Sequence, residues 1–175
     1  RSNAYSDHRI KQADIADESA SFPADLLSYL FNIPSFEWMQ LQQQSDMVLA
    51  NCDTLGIGSL GMIWVNGDCD VSASTQIGSD SEPIILVIFD GNVEFAHDVV
   101  LYGLLFTFKP TDSIKTLDIN MQNNSAVFGA VVTNFQLGTK STLTRAVFQA
   151  DVLQKLQNNK KLHRVARVPG SWHDF

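Results

Sequence analysis

The sequence predicts a mainly β protein, a short parallel single-stranded β-helix (solenoid) of about three to four rungs, with N-terminal helices and a short C-terminal helix. Three observations point there. Between Gly61 and Thr144, short runs such as Met62-Ile-Trp-Val, Pro83-Ile-Ile-Leu-Val-Ile-Phe, Tyr102-Gly-Leu-Leu-Phe-Thr-Phe and Phe128-Gly-Ala-Val-Val keep restarting after a turn. The runs are dominated by β-branched and aromatic residues, which suit a pleated surface better than a helix. Gly78, Gly103 and Gly129 fall 25 and 26 residues apart, and Gly67 and Gly91 form a second comb 24 apart. A period of this length fits stacked units that cannot bury an apolar face alone. A β-sandwich with irregular hairpins is the alternative that the same composition allows.

Taken in order, residues 1–4 (Arg-Ser-Asn-Ala) read as the remnant of an expression tag and stand outside the fold. Residues 5–60 form an N-terminal helical cap. Tyr5 to Ser21 is polar, with Ile10 and Ile15 its main large aliphatics, and reads as a frayed helix or extended lead-in. Pro23 suits a first helical turn; Leu26, Leu27, Leu30 and Phe31 share one face, and Pro34 ends the segment. Ser35 is placed as the cap of a second helix with Phe36, Met39, Val48 and Leu49 inward and Gln40, Gln42, Gln43 and Gln44 mostly outward. These helices are expected to cover one end or flank of the solenoid, which occupies residues 61–149. Trp64, Ile85, Val87, Leu104, Phe106, Phe128 and Val131 are its expected core. In residues 150–175, Asp151 caps a helix containing Val152, Leu153 and Leu156 that stops near Asn158 and Asn159, and Trp172 packs back onto the body. The whole is one compact domain.

Composition narrows the function. The chain has 175 residues, 45% hydrophobic, enough for one substantial core. Nineteen acidic against twelve basic residues give a net charge of −7, which argues against nucleic-acid binding because phosphate contacts need a basic field. The excess of positive charge lies in residues 150–175, a tail suited to an acidic surface or simply solvated. No run of 18 apolar residues is present to span a membrane.

Cys52 and Cys69 lie across the junction between helical cap and first rung. In an oxidising compartment they are candidates for a disulfide stapling those parts together; in the cytosol they are two buried thiols. Two cysteines without a nearby His pair or a C-x-x-C make neither a zinc nor a redox site. His8, His97, His163 and His173 are scattered and adjoin no nucleophile motif, and no phosphate loop, dinucleotide fingerprint or Gly-x-Ser-x-Gly occurs. The most enzyme-like group is acidic: Asp68, Asp70, Asp90, Glu94 and Asp98 sit on or beside turns, and stacking is expected to bring Asp68 and Asp90 together. Such pairs bind calcium or perform glycosidic acid/base work, and more often make local turn hydrogen bonds. The sequence therefore assigns no catalytic, cofactor-binding or metal residue, and expects no cofactor and no small-molecule substrate.

Leu60-Gly-Met-Ile-Trp-Val-Asn-Gly-Asp-Cys69, Pro83-Ile-Ile-Leu-Val87, Tyr102-Gly-Leu104, Phe128-Gly-Ala-Val-Val132 and the closing Val168-Pro-Gly-Ser-Trp172, in that order, resemble the PilX-like pilus assembly proteins of Gram-negative bacteria over roughly Cys52 to Phe175. The resemblance implies a non-enzymatic, minor-pilin-like component of a type IV pilus or its assembly machinery. It would contact other pilus proteins from the periplasm or cell surface, held to the inner membrane by the family's N-terminal helix, which does not lie within this sequence. A β-helical domain that binds or cleaves polysaccharide is the competing reading; it requires acidic side chains converging in a groove with basic or aromatic subsites.

Overall fold

The computed structural model describes residues 23–139, 141–142 and 145–159. All strand pairs are parallel. The large sheet contains β1 (Met47–Leu49), β2 (Met62–Asn66), β5 (Ile84–Phe89), β7 (Val100–Phe108), β9 (Ala126–Thr133) and β10 (Ala146–Phe148) in that spatial order, with β4 (Gln76–Ile77) also paired to β7. The small sheet is β3 (Cys69–Val71), β6 (Val93–Phe95) and β8 (Ile119–Met121). The chain alternates between the two sheets, and the result is a β-solenoid of about four turns. The sheet begins before Gly61, because β1 already pairs with β2 in the register Met47↔Ile63.

Burial explains why the long strands of the large sheet lack the in-out alternation of polarity that β3, β6 and β8 keep. Ile63, Val65, Leu86, Ile88, Leu101, Leu105 and Val127 face the small sheet's Cys69, Val71, Val93, Phe95, Ile119 and Met121 and fill the solenoid interior. The other face of the large sheet, through Met62, Trp64, Ile85, Val87, Leu104 and Phe106, is covered by helices. A sheet buried on both faces reads as a continuous apolar run, as Ile84-Ile-Leu-Val-Ile-Phe89 does.

Three helices make that cover: α1 (Leu26–Phe31), α2 (Trp38–Gln44) and α3 (Ala150–Asn158). Helix α1 buries Leu26, Leu27, Leu30 and Phe31, with the Phe31 ring 5.5 Å from that of Phe106. Its N-cap is Asp25, whose carboxylate accepts the Ser28 N–H at 2.9 Å, rather than a turn opened by Pro23. Helix α2 brings Trp38 over Trp64 and Phe89, with centroids 5.8 and 4.1 Å away. Helix α3 lies against β7 and β9 and buries Val152, Leu153 and Leu156 as expected. Its N-cap is Gln149, and Asp151 stands inside the first turn. The helices therefore flank the solenoid and leave its ends open among the described residues.

The second helix departs from expectation. Ser35 opens a 3-10 turn through Glu37, and its N–H and hydroxyl both donate to Asp25. That turn rotates the helix that follows, so Leu41 and Trp38 point inward while Phe36 and Met39 are 79% and 55% exposed. Val48 and Leu49 belong to strand β1, not to a helix. Of the seven expected core residues, Trp64, Ile85, Val87, Leu104 and Phe106 are fully buried, and Phe128 and Val131 are half-buried near the last rung. Tyr5 to Ser21 and Trp172 lie outside the described residues.

Candidate functional site

The acidic residues singled out by the sequence line the outside of the small sheet and its turns, where rung stacking draws Asp68 and Glu94 into hydrogen-bonded columns. Asp68 accepts the Asn92 backbone N–H at 2.8 Å and its side-chain amide at 3.1 Å. Asn92 Oδ1 accepts the Asp118 N–H at 2.9 Å, and Asp118 Oδ1 accepts the Ser141 hydroxyl at 2.9 Å. A second column sets Asp70, Glu94 and Asn120 in register. There Asn120 Nδ2 donates to Glu94 at 3.3 Å, and Asn120 Oδ1 accepts the Thr142 N–H at 3.3 Å. Asp68, Asn92, Asp118 and Asn120 each bond the rung beside them, the sheet counterpart of a cap, while Asp70 stands exposed opposite Glu94.

The expected Asp68 and Asp90 pairing does not form. Asn66 pairs with Phe89, but Cys69 pairs with Val93, so the second turn holds one residue more. Gly91 accommodates the extra residue because a Cβ there would lie 2.0 Å from the Gly67 carbonyl oxygen. Asp68 therefore meets Asn92, and Asp90 turns to the next loop. Asp90 accepts the Ser113 hydroxyl at 2.6 Å and pairs with Lys115 at 2.9 Å. Burial alone raises its pKa, but these bonds and the nearby Lys109 charge outweigh that and hold the carboxyl below its usual value. Asp98 is likewise lowered, by the His97 and Asn124 side chains. The described residues include no group of three or more His, Cys, Asp or Glu that would hold a metal ion. His8, His163 and His173 lie outside them.

A shallow cleft of about 460 Å³ lies between the start of α1 and the loops after β7 and β9. Most of its polar lining is already engaged. Asp25 is held by Ser28 and Ser35, Asn134 exchanges two hydrogen bonds with the Lys109 backbone, and Lys109 Nζ donates to the Lys115 carbonyl. Asp25 titrates low: burial raises it, and the Ser35 hydroxyl with the Ser28, Ser35 and Leu27 N–H groups more than offsets that.

Cys52 and Cys69 do come together as a disulfide pair, with Cα atoms 5.0 Å apart and both side chains buried. The bond ties the loop between β1 and β2 to the small sheet, so it braces the first rung. That rung ends in a free edge: Met47 and Val48 of β1 are 48% and 49% exposed. At the other end Phe148 of β10 is 38% exposed.

Charge is sorted along the chain, a pattern that the balance of the tail alone does not reveal. Residues 23 to 108 contain eleven carboxylates and no Lys or Arg, whereas residues 109 to 175 contain nine Lys and Arg against four carboxylates. Because strand order follows chain order, the first rungs are acidic, whereas the described residues after 108 carry Lys109, Lys115, Arg145 and Lys155 against Asp112, Asp118 and Asp151 and are close to neutral. The signal was present in the sequence as the unbroken absence of Lys and Arg between Lys11 and Lys109. No helix among the described residues is long and apolar enough to cross a membrane. Compared with known proteins, the chain matches no family model, no curated protein and no solved structure.

Proposed function

We propose that this domain is a non-enzymatic, minor-pilin-like component of a type IV pilus or of the machinery that assembles it, working by contact with other pilus proteins. The observation that carries the reading is the buried Cys52–Cys69 pair, since persistent structural disulfides belong to oxidising compartments such as the periplasm and the cell surface. The ordered segments that resemble PilX-like proteins support it. So does the use of Asp68, Glu94, Asp90 and Asp118 as ladder and turn partners, which gives these carboxylates a structural task. In this reading a helix preceding the present sequence anchors the protein in the inner membrane, and neither nucleic acid nor a small-molecule substrate is involved.

Deleting the gene is expected to impair piliation, twitching or attachment, with complementation requiring the upstream anchor. Asp68→Asn, Asp70→Asn and Asp90→Asn should each complement. Normal piliation in the deletion strain, together with polysaccharide cleavage by the purified domain that Asp90→Asn abolishes, would replace this reading with an enzymatic one.

One observation favours a second reading, polysaccharide binding. Tyr102 and Phe128 stack with centroids 5.2 Å apart, both half-exposed, and an aromatic pair of this kind offers a platform for a sugar ring. Affinity electrophoresis through polysaccharide gels, with Tyr102→Ala as the control, tests it; equal mobility of both proteins in every gel removes it.

A further inference from the structure

We propose that copies of this chain associate head to tail along the solenoid axis, the β1 edge of one copy meeting the β10 edge of the next as a parallel strand pair. The inference stands apart from the pilus reading. Among the described residues β1 pairs only with β2 and β10 only with β9, so each end of the large sheet offers an unpaired strand. Unpaired edges are templates for further strands unless they are blocked by charge, proline or a covering element. Neither β1 nor β10 carries a charge or a proline. Both are three residues long, and both run in the common direction of the sheet. Met47, Val48 and Phe148 are the side chains that a further rung would cover.

Charge selects the occupant. Asp46 immediately precedes β1, held at the edge by accepting the Met62 N–H at 2.8 Å, and the exposed Arg145 immediately precedes β10. Pairing Met47 of one copy with Ala146 of the next in parallel sets Asp46 beside Arg145. The acidic side of this contrast extends over the body, with eleven carboxylates and no Lys or Arg in residues 23 to 108, whereas the described residues after them carry Lys109, Lys115, Arg145 and Lys155 against Asp112, Asp118 and Asp151. A two-fold contact through β1 would press two acidic ends together, whereas the head-to-tail contact sets the acidic end against the edge that carries Arg145. Such a contact joins different surfaces and leaves a free end on each side, so it propagates as an open chain unless its rotation closes a ring.

The test is sedimentation of the oxidised 175-residue chain across a concentration series and at several salt concentrations. The mass is expected to keep rising with concentration without stopping at a dimer, and to fall back to monomer as the Debye length shrinks from about 30 Å to about 8 Å between 0.01 and 0.15 M salt. Val48→Lys and Phe148→Lys should each be monomeric. Mixed in equal amounts they should form a heterodimer and nothing larger, because the first keeps its β10 end and the second its β1 end. Arg145→Glu, at an exposed side chain outside any strand, should weaken association with unchanged melting, so the contact remains testable if an edge lysine prevents folding. Three results would each overturn the proposal: a wild-type chain that stays monomeric at low salt, association insensitive to salt, or a dimer that Phe148→Lys still makes.

Discussion

Removing the Cys52–Cys69 bond should lower the stability of the whole domain by an amount that loop entropy sets. The cysteines are 17 residues apart. Closing a loop of that size removes about 10 cal/mol/K from the unfolded chain, or about 3 kcal/mol at 25 °C. For a domain of this length each kcal/mol moves the midpoint by about 2–4 °C, so Cys52→Ala with Cys69→Ala should melt roughly 6–12 °C below the oxidised parent. Calorimetry or circular dichroism reads the shift. Hydrogen exchange locates it: with the bond absent, the first rung keeps the three β1–β2 pairs and the Asp46 contact to Met62, so amides of Met47–Leu49 should exchange faster while β5 and β7 change little. Cys52 and Cys69 are 2% and 0% exposed, so a reductant should act only when denaturant is present, and the unfolded oxidised protein should titrate with no free thiol. A shift under about 2 °C, against the loop-closure figure, or two reactive thiols in the unfolded protein would refute the bracing role.

Val87→Asp places a charge without a partner beneath the helical cover, at a cost of several kcal/mol, and should abolish the cooperative melt. Gly129→Ala should be far more damaging than Gly67→Ala: a Cβ at Gly129 would lie 2.0 Å from the Gly103 carbonyl oxygen at φ +143, while Gly67 has open space and only its φ of +94 to satisfy. Comparing the two melting temperatures decides it, and equal losses would contradict the stacked glycine column. Asp25→Ala should cost about 1 kcal/mol at pH 7 through the lost cap. Because the folded-state pKa of Asp25 is depressed below 3.8, its contribution is present above that value and lost as pH falls through the folded pKa; the gap between parent and variant should therefore narrow in acid melts.

The solenoid was legible because its evidence is repeated: the rungs restate the same β-branched run, and Gly103 and Gly129 do occupy one register, though inside strands β7 and β9 and not at the turns that their spacing suggested. The glycine comb was less regular than its spacing suggested. Ile84, not Gly78, lies opposite Gly103, since β4 and β5 share the long β7 with the 78–83 loop between them. The facing of the second helix was lost because a 3-10 turn at Ser35–Glu37 shifts the phase of everything after it, and no residue type announces that turn. Strand β1 was hidden because three residues carry too short a pattern to separate strand from helix. The acidic ladder failed at one residue: spacing alone aligned Asp68 with Asp90, and the extra position filled by Gly91 moved Asn92 into place.

Strand order in the large sheet follows chain order, and that has a consequence for how the molecule comes to exist. From β1 to β10 each pairing joins segments only about one rung apart, so every new strand meets an edge that the preceding sequence has just completed. A chain emerging N-terminus first, from a ribosome or through a membrane pore, can grow the sheet in step with its delivery, and the Cys52–Cys69 link closes as soon as the first rung is out. The helical cover keeps a different clock. Phe31 emerges before every strand, yet its partner Phe106 arrives 75 residues later, so α1 must wait for β7 before it can dock. Until then the outer apolar face of β2 and β5 has no complete cover, and the nascent chain passes through an interval in which its most sticky surface is already built.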